Sequence, residues 1–250
     1  MKIKGIIAVC LMLILYFLVS PQRYETSRLA IPRDARDYVI LLHGLSRSSR
    51  SMLRIEKRLP LAGYKVINVD YPSMKQDIRF LAEKNLDSVV KPFIQESHPK
   101  IHFVTHSMGG IVLRYYLKHH DLPNLGRVVM ISPPNQGSEI VDHFKKMFLF
   151  GKAAGDTGKQ LGTDDDSLPQ RLGPVDFELG VIAGNKSINP LYSLLIPGPD
   201  DGVVSVDRTK VEGMKDFIVV PHSHAFIIQS EAVIEQVLHF VEHGLFKKRE

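Results

Sequence analysis

The stretch that most constrains this chain surrounds Ser107. Ile101-His-Phe-Val-Thr-His-Ser-Met-Gly-Gly110 runs straight into Ile111-Val-Leu-Arg-Tyr-Tyr-Leu117. The apolar residues up to Val104 predict a strand, residues 108–119 predict a helix, and Ser107 sits at the turn between them. A strand that folds back into a helix around one residue brings two backbones close together, so small residues must flank the turn. Gly109 meets that need. Thr105 departs from the glycine usual two residues before the serine in G-x-S-x-G. The turn would hold the serine in a strained conformation, with its hydroxyl exposed above a parallel sheet.

The rest of the chain supplies such a sheet. Tyr38–Leu42 is a short, wholly apolar run, as expected of a strand buried on both faces. Ser49–Leu61 has helical spacing, Tyr64–Val69 reads as a strand, and Gln76–Gln95 as a long amphipathic helix. Arg127–Ile131, Phe177–Ala183 and Asp216–Val220 read as further strands. A last helix runs over Glu231–Glu242, with Gly244 as its C-cap. Strands alternating with helices predict an α/β fold: a mainly parallel sheet of about six strands with helices on both faces.

The domain is expected to span residues 37–246. Within it, residues 138–175 break the rhythm and form an insertion. This carries Phe144, Met147, Phe148, Leu149 and Phe150, then glycines, then Asp164-Asp165-Asp166. Irregular insertions of this length are usually functional. The apolar cluster reads equally as a lid over a binding groove or as a helix packed on the core. The acidic triplet lacks the spaced ligands of a calcium loop and reads as solvated.

With 250 residues, the chain can bury one core of this kind but not two. Its single cysteine, Cys10, excludes an intrachain disulfide, and no C-x-x-C offers a zinc or redox site. The net charge of +5 comes partly from Lys2, Lys4 and Lys247-Lys248-Arg249 at the ends. No nucleic-acid module accompanies it, so a solvated basic surface is the expectation. Residues 1–22 stand apart: two lysines precede an unbroken apolar run from Gly5 to Val19. The segment lacks a small-x-small cleavage site and reads as a signal-anchor in preference to a cleaved signal peptide. The lysines stay inside, which places the domain across the membrane, on the periplasmic or extracellular side. Cleavage would make it secreted. Residues 23–36 read as a linker.

A serine hydroxyl needs an imidazole as base, and the imidazole needs a carboxylate to fix its tautomer. Loops after later strands offer both. Gly198-Pro-Asp-Asp-Gly-Val-Val-Ser205 holds Asp200 and Asp201, with Asp207 just beyond. Val219-Val-Pro-His-Ser-His-Ala-Phe226 holds His222 and His224. An oxyanion needs backbone donors. Met108 follows the serine, and Leu45 lies in the loop His43-Gly44-Leu45 after the first strand. His43 and His106 are expected to hydrogen-bond around these turns, and Asp70 to close a strand end.

These pieces together resemble the bacterial lipase/esterase branch of the α/β-hydrolase superfamily. The matching runs are Val39–Leu45, Val69–Pro72, Thr105–Gly110, Ile131–Ser138, Asp201–Val204 and His224-Ala-Phe, spanning nearly all of residues 38–244. The resemblance implies a triad of Ser107, Asp201 and His224. The family's acid directly precedes Gly-Val/Leu-Val, and its histidine precedes small and aromatic or aliphatic residues before the last helix. It also implies an oxyanion hole of Leu45 and Met108, no cofactor or metal, and hydrolysis of ester or lipid substrates. Thioesterase, acyltransferase or amidase chemistry on the same triad, or a non-catalytic membrane-bound binding protein, are the alternatives.

Overall fold

The computed structural model describes residues 37–95, 99–145 and 157–248. The proposed anchor, the linker and most of the apolar cluster (Met147 to Phe150, and the Phe144 side chain) lie outside the described residues. No helix among the described residues is long and apolar enough to cross a membrane.

Six strands form one parallel sheet: β1 (Tyr38–Leu42), β2 (Lys65–Val69), β3 (Ile101–His106), β4 (Leu125–Ile131), β5 (Leu179–Gly184) and β6 (Asp216–Val220). Their order is β2-β1-β3-β4-β5-β6, every pair parallel. The chain starts inside the sheet, moves out to β2, then crosses back to β3. The order therefore reverses between β1 and β3, and a cleft opens at the carboxyl ends of these two strands.

Alternating side chains build two cores, one on each face. Ile40, Leu42, Phe103, Val128, Met130 and Val181 pack on one face against the helical segment 78–93 and helix α2 (Met108–His119). Val39, Leu41, Val104, Val129, Ile131 and Ile182 pack on the other. Their partners there come from helix α1 (Leu53–Arg58) and helix α4 (Glu231–His243). This explains why the central strands β1, β3, β4 and β5 read as largely apolar runs: little of either face meets water, whereas the edge strands β2 and β6 are only half-buried. Helix α4 ends as expected, with Gly244 in the left-handed region at φ 76°.

Two helices differ from the sequence reading. The run from Ser49 is a 3-10 turn (Ser49–Met52), then α1, then a second 3-10 turn (Pro60–Ala62). Pro60 cannot continue α1, because it has no N–H to give. The long helix expected over 76–95 is helical over 78–93 but uneven, passing through a π-helical turn at Leu81–Leu86. A π turn changes which carbonyl each N–H reaches without changing which residues are apolar, so periodicity does not reveal it.

The insertion contributes helix α3 (Glu139–Phe144) and a short helix at Leu168–Leu172. Its described parts are tied down by polar contacts. Asp142 accepts bonds from the Thr163 amide and hydroxyl, and the buried Arg114 guanidinium donates to the carbonyls of Asn135, Pro169 and Gly173. Asp164 pairs with Lys145, and Asp164, Asp165 and Asp166 are all exposed.

Gly180 on β5 shows how closely α4 approaches the sheet. A Cβ there would lie 2.5 Å from the Phe240 ring and 2.8 Å from that of Phe246. Gly180→Ala is expected to cost about 1–3 kcal/mol by overpacking. Adding Phe240→Leu should recover part of that loss, read as non-additivity in urea unfolding of the double mutant.

Candidate active site

The register of β1 against β3 sets the site. Leu42 pairs with Thr105, so two residues further on Gly44 and Ser107 face each other. A Cβ on Gly44 would lie 3.0 Å from the Ser107 Cβ, and a Cβ on Gly109 would lie 2.6 Å from the Leu42 carbonyl oxygen. Only glycine lets the turn after β3 seat itself on the end of β1. Ser107 has φ 54° and ψ −127°, a conformation a non-glycine residue adopts only when its surroundings enforce it. Its amide is held by the Ile131 carbonyl at 2.9 Å, and its own carbonyl accepts from Gly110 at 3.0 Å. Ser46 and Ser132, at the carboxyl ends of neighbouring strands, are the other described non-glycine residues with positive φ.

Thr105 is fully buried in β3. Space for its side chain comes from Gly110: a Cβ there would touch the Thr105 Oγ1 at 3.3 Å. The small residue usual before the turn has in effect been moved across to the helix.

His224 Nε2 lies 2.9 Å from the Ser107 hydroxyl, and Nδ1 lies 2.8 Å from Asp201 Oδ2. Asp201 is almost wholly buried. Its Oδ1 accepts from the amides of Val203 at 3.0 Å and Val204 at 2.9 Å, which keeps the carboxylate in place and leaves Oδ2 for the imidazole. The His224 amide also donates to the Asp201 carbonyl at 2.9 Å, so the two loops are joined through backbone and side chain alike. Gly184 makes room for this junction, because a Cβ there would lie 2.8 Å from that of Asp201 and 2.4 Å from the His222 carbonyl oxygen.

The other candidates lie elsewhere. Asp200 accepts from the Gly202 amide and the Ser193 hydroxyl, shaping its own turn. Asp207 pairs with Lys210. His222 contributes its carbonyl to the Lys186 amide. Asp70 accepts from the Ser49 amide at 2.9 Å and lies 3.6 Å from His43.

Met108 follows Ser107 in the chain, and Leu45 follows Gly44, which packs on Ser107. Met108 opens α2, where the first amides have no intrahelical acceptor. Leu45 follows Gly44 in the turn closed by Arg47 N–H onto the Gly44 carbonyl. His43 fixes that turn: its Nδ1 bonds the Gly44 carbonyl at 2.9 Å, its ring stacks on Tyr71, and the Tyr71 hydroxyl donates to its carbonyl. Burial lowers its pKa to about 4. His106 donates from Nε2 to the His224 carbonyl at 3.0 Å and is likewise held neutral by burial, its pKa well below the ordinary value.

A cavity of about 430 Å³ opens over these groups. Val141 and Leu161 of the insertion and Val203 and Val204 line it, with Ile188, Asn189 and Tyr192 on another side. The last three belong to the excursion after β5. Nothing in the sequence pattern places them there, because irregular segments carry no periodicity. Gly184 was missed for a related reason: what requires it is a loop remote in sequence. Among the described residues, no cluster of three His, Cys, Asp or Glu side chains could hold a metal.

A family model described as "Alpha/beta hydrolase family" matches residues 39–195. The chain belongs to the alpha/beta hydrolase family. Several solved hydrolases share the fold. The mature form of the Bacillus licheniformis lipase BlEst2 aligns at TM-score 0.62 and 21% identity, over 81% of this chain and 90% of that one. The metagenomic carboxyl esterase MGS0156 aligns at 0.63 and 18%, over 81% and 68%. EstA from Clostridium botulinum aligns at 0.59 and 13%, over 92% and 93%. At these identities the likeness is one of fold. A comparison with curated proteins returned no match.

The buried histidines give this hydrolase an acid limit. Below pH 6.5 the unfolded chain takes up a proton at His43 that the folded protein refuses until about pH 4. Stability is therefore level above pH 6.5 and falls as pH drops through that window, by roughly 3 kcal/mol at most for this residue. Urea unfolding at pH 7 and pH 5 should show the loss. His43→Gln should flatten it only in part, because His102 and His106 are displaced in the same direction.

Proposed function

We propose that the protein is a carboxylic ester hydrolase acting through Ser107, His224 and Asp201. The observation that carries this reading is the unbroken chain of contacts from the Ser107 hydroxyl through His224 to Asp201, 2.9 Å and 2.8 Å long. Ser107 Oγ attacks the ester carbonyl carbon while His224 Nε2 takes its proton. Negative charge gathers on the former carbonyl oxygen and is met by the N–H groups of Leu45 and Met108. The intermediate collapses, the bond to the alcohol breaks, and His224 returns the proton to the leaving oxygen. Water then attacks the acyl-enzyme with His224 as base, releasing the acid and restoring Ser107. Asp201 holds the imidazole with Nδ1 protonated and offsets its charge when Nε2 is protonated too.

The apolar cavity wall favours an acyl chain over a polar one. The lipase and esterase activities of the structural relatives lean the same way. Together with the apolar run over 5–19, this supports a lipid or acyl ester near a membrane as substrate, with the domain exported.

Labelling by a fluorophosphonate is expected in the wild type and absent in Ser107→Ala. A folded wild type that stays unlabelled would sink the catalytic reading. Asp201→Asn should lower kcat on the order of 10³- to 10⁴-fold by misplacing the imidazole proton. Asp200→Asn should stay within about tenfold, since Asp200 only shapes its turn. Release of free acid from matched ester, thioester and amide substrates tests the bond cleaved. Faster turnover of the thioester or amide would overturn the ester assignment.

A further inference from the structure

Most of the large apolar side chains exposed among the described residues fall singly along the chain: Leu61, Phe80, Val219, Phe226 and Leu245. Single ones are ordinary on a protein surface. Ile188, Leu191 and Leu194 differ. They recur at a spacing of three in the excursion after β5, exposed by 66%, 49% and 81%.

This is not a loose loop end. The Asn189 side chain caps the helical turn Pro190–Ser193 by accepting from the Leu191 amide at 3.2 Å. The Ser187 hydroxyl donates to the Asn189 carbonyl at 3.0 Å, and the Ser193 hydroxyl donates to Asp200 at 2.9 Å. Ile196 is buried. The backbone is therefore held while Leu191 and Leu194, one turn apart and on one side, face outward. Ile188 is exposed and also lines the cavity over Ser107, where Leu161, Val203 and Val204 continue the apolar wall. Apolar surface thus leads from outside the molecule to the nucleophile.

Charge narrows what can cover this surface. From Asn185 to Pro199 the one charged side chain is Lys186, and there is no carboxylate. Outward leucines with a single cation suit a lipid leaflet, whose hydrocarbon takes the leucines and whose phosphates take the lysine. The chain length allows it. Residues 20–36 span about 60 Å at most, against roughly 17 Å for β1. An apolar run over 5–19 seated in a bilayer therefore leaves the carboxyl edge of the sheet free to reach the same surface.

We propose that Ile188, Leu191 and Leu194 dock the mouth of the cavity on a lipid surface, so that an acyl chain passes from the leaflet to Ser107 along them. This deepens the ester-hydrolase reading of the same site.

The test uses the full chain with Cys10→Ser, labelled with an environment-sensitive fluorophore at Leu194→Cys or, as control, at Leu61→Cys in the turn before β2. Vesicles are equal parts phosphatidylcholine and phosphatidylglycerol, with or without a doxyl-phosphatidylcholine quencher. On vesicles the label at 194 should shift to the blue and be quenched well beyond the label at 61. Equal quenching at the two sites would overturn the proposal. So would a label at 194 already shielded without lipid, because a second copy or the chain's own apolar segment would then cover it. In a second arm, Leu191→Ser/Leu194→Ser should hydrolyse 4-nitrophenyl palmitate held in the vesicles roughly tenfold more slowly or worse. Soluble 4-nitrophenyl butyrate should stay within about twofold. Equal loss on both esters, or loss on neither, counts against docking. The fluorescence arm needs no turnover, and fluorophosphonate labelling of the wild type reports separately on the hydrolase reading.

Discussion

The contact between Gly109 and the carbonyl oxygens of Leu42 and His43 governs the carboxyl edge of the sheet. A single methyl at residue 109 would lie 2.6 Å from one oxygen and 2.8 Å from the other. Because that methyl is missing, α2 can start directly over the end of β1, with the Ser107 turn pressed against Gly44. The helix start, the turn after β1 and the strained serine are therefore one packing solution. The energy for it comes from the two apolar cores, which bury β1 and β3 on both faces and leave neither strand room to retreat.

Much of this was legible because burial on both faces writes itself into a strand as an unbroken apolar run. β1, buried on both faces, falls where its run predicts, the half-buried edge strand β6 does so too, and the other strands differ only at their ends. The order serine, aspartate, histidine was legible too, since each lies beyond a strand. The choice of Asp201 over Asp200 was different in kind. Both are buried neighbours in one turn, and which of them faces an imidazole depends on the pleat of that turn. Sequence could favour Asp201 only through its likeness to a family.

What escaped the sequence was contact between distant segments. Thr105 looked like a defect when judged by its own position, yet the space it needs is supplied by Gly110, on the far side of the turn. Gly184 lies just past the strand expected over Phe177–Ala183, and its absent side chain is required by Asp201 and His222 from two other loops. Tyr71 lies in the run Val69–Pro72, which assigns it no role, yet it stacks on His43 and donates to the carbonyl that begins the Gly44 turn. Each is a property of a pair, and neither member announces it alone.

The excursion between β5 and Asp201 is fastened at both ends. Gly184 seats one end under the acid, and at the other Asp201 is clamped by its bonds to His224 and to the amides that follow it. Between them, Ile188, Asn189 and Tyr192 border the cavity, while Ser193 ties the stretch to the Asp201 turn through the Asp200 carboxylate. The residues that border the cavity here are thus different from those that fasten the stretch to the Asp201 turn. Mutation can recolour the bordering residues while Gly184, Ser193 and Asp200 keep the Asp201–His224 contact in place. A lineage built on this scaffold can change the wall of its cavity without rebuilding the contact beneath it.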